Sequence, residues 1–86
     1  MTAGRIEDTL RDALGPLELL VRDDGHLHAG HAGAREGGHY VVRIRSARFS
    51  GLGRVARHRL VYDALGPLGQ RGVHALAIEA LAPDEP

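Results

Sequence analysis

Histidines concentrated in a glycine-rich segment are the residues of this chain best suited to chemistry. The chain has 86 residues, six histidines and no cysteine. Three of the histidines, His26, His28 and His31, fall in one short stretch interrupted by glycine. Neutral imidazole is the commonest side-chain metal ligand, and glycine lets a loop turn several rings toward one ion. We therefore interpret the stretch as part of a metal site.

His74 is the candidate that completes this site from the other end of the chain. It lies at the start of the apolar run Val73–Ala80, and it meets the histidine-rich stretch only if the fold brings the two segments together. Without cysteine the chain supplies no thiolate, so any sulfur ligand must come from a partner. Two alternatives stay open: a solvated loop whose histidines have no role, and a polar strand end at His74.

The charges argue against a general nucleic-acid binder but leave one basic segment. Eleven basic residues balance eleven acidic ones, whereas neutralising phosphates needs a net basic surface. The stretch from His39 to Tyr62 nevertheless contains six arginines and no carboxylate. The candidate DNA contacts in this stretch are Arg43, Arg45, Arg54, Arg57, His58 and Arg59, of which Arg54, Arg57 and His58 share one side of a predicted helix.

Composition also limits the compartment and the activity. No apolar stretch approaches the roughly 20 residues that span a bilayer, and the acidic N-terminal segment is unlike a signal peptide. We expect a cytoplasmic protein without a membrane partner. Because the sequence offers no cysteine nucleophile and no convincing pair of acid and base, we expect no enzymatic activity.

The first part of the chain predicts a helix followed by a short strand. Apolar residues recur at helical spacing in Thr2–Leu14, and Gly15 with Pro16 supplies the stop. Leu17–Arg22 alternates in the manner of a strand. The connection 23–38 is longer than usual, which favours a functional role. The side chains predicted to face the core are Ile6, Leu10, Ala13, Leu14, Leu17, Leu19 and Val21.

The second part predicts strand, helix and strand. His39–Ser46 alternates apolar with mostly basic residues in period two, and Arg54–Leu65 returns to the helical period. A short helical turn around Leu68–Arg71, a last strand at Val73–Ala80 and a frayed tail at 82–86 follow. The side chains predicted to face the core are Tyr40, Val42, Ile44, Phe49, Val55, Val61, Tyr62, Leu65, Leu76 and Ile78.

The predicted order is helix, strand, strand, helix, short helix, strand. A helical crossover joins parallel strands with a right-handed connection, whereas the first two strands should be antiparallel. A chain of this size forms one domain with one small core. We therefore expect an α/β domain over residues 1–86, with a three-stranded mixed sheet and its helices on one face.

This element order, together with several short motifs, resembles the BolA family over nearly the whole chain. The resemblance implies an α/β fold similar to the class II KH domain. The motifs that carry the resemblance are Arg57–Tyr62, Val73–Ile78, the loop rich in aspartate and histidine, His39 with Tyr40 at the start of the second strand, and Phe49–Gly51 before the main helix.

The resemblance further implies a partner and a shared cofactor. BolA-like proteins pair with monothiol glutaredoxins and share a [2Fe-2S] cluster, for which the glutaredoxin cysteine and glutathione supply thiolates. The family's C-terminal histidine ligand matches His74. The second ligand comes from the loop, where His28 is the best positional match and His31 the next, although His26 keeps the choice open.

The same resemblance implies the state of the isolated chain and an alternative function. Two ligands hold a cluster poorly, so the chain alone should carry no cofactor and be a monomer or weak dimer. Members of the family have also been viewed as DNA-binding regulators. The alternative function is therefore a transcriptional regulator that uses the arginine-rich strand and helix.

Overall fold

The computed structural model describes residues 3–24, 38–66 and 73–86, with the backbone alone at 38 and 73–75. These residues form two helices, a short 3-10 turn and three strands. The helices are α1 (Ala3–Leu14) and α2 (Arg54–Leu65), and the strands are β1 (Glu18–Asp23), β2 (Gly38–Arg45) and β3 (Val73–Leu81). The predicted helical turn at 68–71 and most of the predicted loop lie outside the described residues.

The sheet confirms the predicted topology. Its strand order is β1-β2-β3, with β1 antiparallel and β3 parallel to the central β2. The parallel pair requires a crossover, and α2 lies on it. Residues of both helices pack with the inward side chains of all three strands in one core cluster, which places the helices on one face of the sheet.

Helix α1 forms where its apolar spacing predicts. Ile6, Leu10 and Leu14 follow one another at four-residue intervals and are buried. Ala13 is exposed, contrary to the prediction, because the buried stripe of this helix is only as wide as that single row. Gly15 ends the helix with φ of 51°, a value that favours glycine, and its N–H donates back into the last turn at 3.2 Å.

The inward face of β1 differs from the prediction at its first residue. Leu19 and Val21 pack against the core as expected. Leu17 is 67% exposed, and it precedes the strand, although its N–H donates to the carbonyl of Arg45 at 2.8 Å. Alternation predicts which face a side chain shares, but it does not tell how far the helices extend over the sheet. Leu17 lies beyond that cover.

The core centres on β2 and the turn that follows it. Tyr40, Val42 and Ile44 are buried on the inward side of β2. Phe49, in the 3-10 turn Ala47–Phe49, is fully buried, which confirms the prediction that it faces the core.

Helix α2 buries a narrower side than predicted. Val61 and Leu65 are buried, whereas Tyr62 is 43% and Val55 is 73% exposed. A helix turns about 100° per residue, so Tyr62 lies well to one side of Val61, and Val55 lies seven residues away on that same outward side. A small domain has no second layer to cover that side. Helix α2 ends at Leu65, as predicted.

The segment 82–86 is bound to the domain, contrary to the predicted frayed tail. Ala82 is buried, and its carbonyl accepts a hydrogen bond from Nη1 of Arg45 at 3.0 Å. The same nitrogen donates to the carbonyl of Glu85. Arg45, which pairs with Leu81 from the neighbouring strand β2, therefore holds this segment, a contact that no local pattern in the tail reveals.

Within the described part of the chain, α1 and α2 are each 12 residues long. Neither helix is long and apolar enough to cross a membrane.

Candidate functional site

The histidine-rich connection leaves and rejoins the sheet at one end. Strand β1 ends at Asp23, and β2 begins at Gly38. Asp24 continues the pairing for one residue beyond β1, because its N–H donates to the carbonyl of His39 at 2.7 Å. The side chain of Asp24 also accepts hydrogen bonds from Arg22 at 2.7 and 3.1 Å. Both ends of the connection are therefore held at the same end of the sheet.

Position 74 lies at this same end of the sheet. Gly38 pairs with Val73, but His39 pairs with Ala75, so His74 is an extra residue in the register of β3. Neighbouring strands run about 4.8 Å apart, which puts the backbone of His74 next to the point where the connection returns. A register shift of this kind re-aims side chains and is common beside functional sites.

The structure thus gives a backbone position to one of the three predicted metal ligands. The structure describes the backbone of His74 but not its side chain. His28, His31 and the further candidate His26 lie outside the described residues. Their role as ligands stays a prediction. Among the described side chains, no group of three or more histidines or carboxylates comes close enough to hold a metal ion.

Charged and buried groups surround the start of the connection. Asp23 pairs across the sheet with Tyr40, a buried residue. Burial, together with the negative charge of Asp23, raises the pKa of the Tyr40 phenol. The hydrogen bonds to Asp24 raise the pKa of Arg22. This end of the sheet is therefore ordered by ion pairing on its outer rim and by apolar packing beneath.

The predicted DNA contacts do not form one free basic surface. Arg43 pairs with Glu79 at 3.3 Å on the open face of the sheet. Arg45 pairs with Glu18 at 3.5 Å and also binds the C-terminal segment, and its side chain is only 13% exposed. Carboxylates thus engage both candidates on β2, because the strands beside it carry glutamates in register.

Arg57 is a structural residue and not an exposed contact. Its Nε donates to the carbonyl of Leu52 at 2.8 Å, and Nη1 donates to the carbonyl of Ala80 at 3.0 Å. Both carboxylate oxygens of Glu85 accept from the same guanidinium. This pairing raises the pKa of Arg57 and, with an added hydrogen bond from the N–H of Ala82, lowers the pKa of Glu85 to about 2.

A cavity of about 420 Å³ lies beside Arg57, between the start of α2 and the end of β3. Arg54, Arg57 and His58 all line it, which confirms that the three share one side of the helix. Arg59 is exposed on α2 and does not line the cavity. Of the six predicted basic contacts, Arg54 and His58 are the ones that reach this cavity without an ion pair among the described residues.

Sequence reasoning missed Glu79 and Glu85 as members of this site. Glu85 comes from the segment predicted to fray, and it lies 28 positions after the arginine that binds it. The only sequence signal was the Asp84-Glu85 pair placed after a strand, which by itself is typical of a solvated end.

Comparisons with known proteins agree in one family. A sequence profile described as BolA, BolA-like protein, matches residues 10–85. An uncharacterised protein of Sinorhizobium sp is 45% identical, with 94% of this chain and 90% of that protein covered. The chloroplastic protein BOLA1 of Arabidopsis thaliana is 40% identical over 96% of this chain. This chain spans 54% of that relative's own length.

Solved structures show the same fold. BolA1 from Arabidopsis thaliana superimposes with a TM-score of 0.84 at 39% identity, covering 100% of this chain and 97% of that one. The BolA domain of SufE1 from the same plant gives a TM-score of 0.80 at 44% identity, covering 94% of this chain and 91% of that one.

Proposed function

The chain belongs to the BolA family, and from this membership we propose that it is a non-enzymatic adaptor that binds a monothiol glutaredoxin. The two proteins share a [2Fe-2S] cluster, and the pair acts in iron-sulfur maturation or iron regulation. The observation that supports this most is the backbone geometry at one end of the sheet: position 74 sits at a register shift beside Gly38, where the histidine-rich connection returns.

The donor set of the chain fits a partial ligand shell. A [2Fe-2S] cluster needs four protein-type ligands, and histidines replace cysteines on one iron in some centres. This chain has no cysteine, so its contribution is imidazole: His74 with one loop histidine, His28 first and His31 second. The glutaredoxin cysteine and glutathione provide the thiolates. Histidine ligation raises the reduction potential of such a cluster when it is bound.

The fixed ends of the connection favour this role. A loop whose ends are already together loses less conformational freedom when it closes on a ligand. The bond from Asp24 to His39 and the ion pair from Arg22 to Asp24 hold one end. Pairing of Gly38 with Val73 holds the other. Ligand binding then requires no free energy to bring these two ends together at the sheet.

The experiment is reconstitution of the mixed complex from this chain, a monothiol glutaredoxin, glutathione, ferric iron and sulfide under anaerobic conditions. Visible circular dichroism reports the ligand environment of the cluster. We expect His74→Ala to change the spectrum and shorten the lifetime of the cluster. The matched control is His58→Ala, the same change at a histidine on α2. His28→Ala and His31→Ala then identify the loop ligand.

Two results would count against the proposal. A His74→Ala complex with an unaltered spectrum removes that residue from the ligand set. Failure of the unmodified chain to form a complex with the glutaredoxin, judged by size-exclusion chromatography with and without iron, removes the adaptor role itself.

DNA binding, the alternative function, stays a prediction with less support. Three of its six candidate residues, Arg43, Arg45 and Arg57, already pair with carboxylates of the same chain. Releasing them costs those pairs before any phosphate is bound. We therefore keep the adaptor as the single proposal.

A further inference from the structure

The outer edge of β3 offers main-chain hydrogen-bonding groups. In the described part of the chain, β3 is a terminal strand of the sheet. The N–H of Ser46 donates to the carbonyl of Leu81 at 2.9 Å from the β2 side. Arg57 donates to the carbonyl of Ala80 from the opposite side. The N–H and C=O groups of successive residues in a strand point to alternate sides. Those of Ile78 therefore face the outer edge, as those of Ala80 do.

This edge forms one wall of the cavity described above. Ile78, Glu79 and Ala80 line it from β3, and Arg54 and His58 line it from α2. Its volume of about 420 Å³ falls within the range of roughly 300 to 1,000 Å³ typical of ligand sites. An unpaired strand edge is a template for adding another strand. The cavity and the outer edge of β3 together form a groove, which has room for an extended chain.

The charges in the groove select the ligand. Both carboxylates on its walls are engaged, Glu79 by Arg43 and Glu85 by Arg57. Arg54 makes no hydrogen bond or ion pair with any described residue, so it adds an unbalanced positive charge at the mouth. A ligand that carries carboxylates gains from this charge, and a basic one is repelled.

The C-terminal segment shows which chemical groups this wall of the groove binds. The carboxylate of Glu85 receives the guanidinium of Arg57 and the N–H of Ala82, the latter at 2.6 Å. A protein segment with an acidic side chain is thus already bound at one end of the groove. The remaining length, along Ile78 and toward the start of β3, is the part left for another chain.

We propose that the groove between β3 and α2 binds an extended acidic segment of a partner protein, which adds as a strand to the outer edge of β3. Main-chain hydrogen bonds to Ile78 give affinity, and Arg54 selects carboxylates on the incoming chain. A nucleic acid would also meet Arg54. It lacks the main-chain N–H and C=O groups that would pair with a strand edge, however.

The probe is a fluorescein-labelled octapeptide of alternating valine and glutamate, with the valine and lysine version as control. Fluorescence anisotropy measures binding to the iron-free chain, so the result is independent of the cluster. We expect the acidic peptide to bind more tightly than the basic one. Arg54→Glu should weaken binding by roughly tenfold, and Arg59→Glu, the same change on the same helix outside the groove, by at most about twofold.

Amide hydrogen exchange locates the bound peptide. Saturation with the acidic peptide should slow exchange at the N–H groups of Ile78 and Ala80. Equal loss of binding in both variants, equal binding of both peptides, or protection elsewhere would overturn the proposal. The proposal would also be overturned if a labelled DNA duplex bound more tightly than the acidic peptide, lost this binding in Arg54→Glu, and was not displaced by the peptide.

Discussion

Ser46 joins three elements through one buried hydroxyl, and its removal tests the account of the fold. The side chain is 1% exposed at the end of β2. Its Oγ donates to the carbonyl of Leu14 at 2.8 Å and accepts from the N–H of Arg48 at 3.1 Å. The first bond ties α1 to the sheet, and the second caps the 3-10 turn that leads to Phe49. Ser46→Ala removes both bonds without adding bulk.

The magnitude follows from those two bonds. A net intramolecular hydrogen bond contributes about 0.5 to 1.5 kcal/mol, and a lost cap costs about 1 kcal/mol. We therefore expect Ser46→Ala to lower the free energy of unfolding by about 2 kcal/mol. In a domain of this size that corresponds to a fall in Tm of roughly 8 to 16 °C.

The assay is urea unfolding followed by far-ultraviolet circular dichroism, which gives the free energy of unfolding and its slope. The matched control is Ser50→Ala, the same substitution at an exposed serine in the same turn, expected within about 0.5 kcal/mol of the unmodified chain. If Ser46→Ala also stays within about 0.5 kcal/mol with an unchanged slope, the hydroxyl does not join these elements and the reasoning is refuted.

Two further predictions concern the core and the C-terminal segment. Phe49→Ala should lower the free energy of unfolding by about 3 to 5 kcal/mol in the same urea assay, because it empties a fully buried site. The control Val55→Ala changes a side chain that is 73% exposed and should stay within about 0.5 kcal/mol of the unmodified chain. Similar losses of stability in the two variants would contradict the observed burial. For Glu85, the folded pKa of about 2 lies below the ordinary 4.5, so its ion pair stabilises the fold fully above the unfolded pKa and is lost as pH falls through the folded one. Thermal melts of Glu85→Gln and the unmodified chain should therefore differ at neutral pH and converge in acid; a constant difference would count against the Arg57 pair.

The periodicity of the sequence predicted most of the fold because hydrophobic spacing reports which side of an element is buried. The alternation of Tyr40, Val42 and Ile44 and the four-residue spacing of Ile6 and Leu10 both correspond to buried rows in the structure. Glycines with positive φ mark the ends of both helices, where the sequence has its glycine-proline pairs. These signals depend on residues a few positions apart, so the sequence alone contains them.

The errors at the surface concern the extent of the cover. Leu17, Val55 and Tyr62 were predicted to face the core but are exposed, because Leu17 lies beyond the helices and the other two lie on the outward side of α2. Spacing defines a direction around a helix or strand. The extent of the layer packed against that direction depends on where the other elements end, and no local pattern records it.

The site divides in the same way. Residue types predicted imidazole chemistry and, through the missing cysteine, a dependence on a partner for sulfur. The register then placed position 74 beside the return of the histidine-rich connection. Which arginines are free was open at the sequence level, because Arg45 and Arg57 look no different there from Arg54.

The order of elements, the period of each and the chemical types of the candidate ligands were determined by the sequence alone, since they depend on neighbours a few positions apart. Only the tertiary structure decided that a glutamate near the end of the chain binds Arg57, that β3 has an outer edge facing a groove, and that His74 sits in a register shift. Those features join residues distant along the chain, and the free energy that selects them comes from packing the whole domain at once.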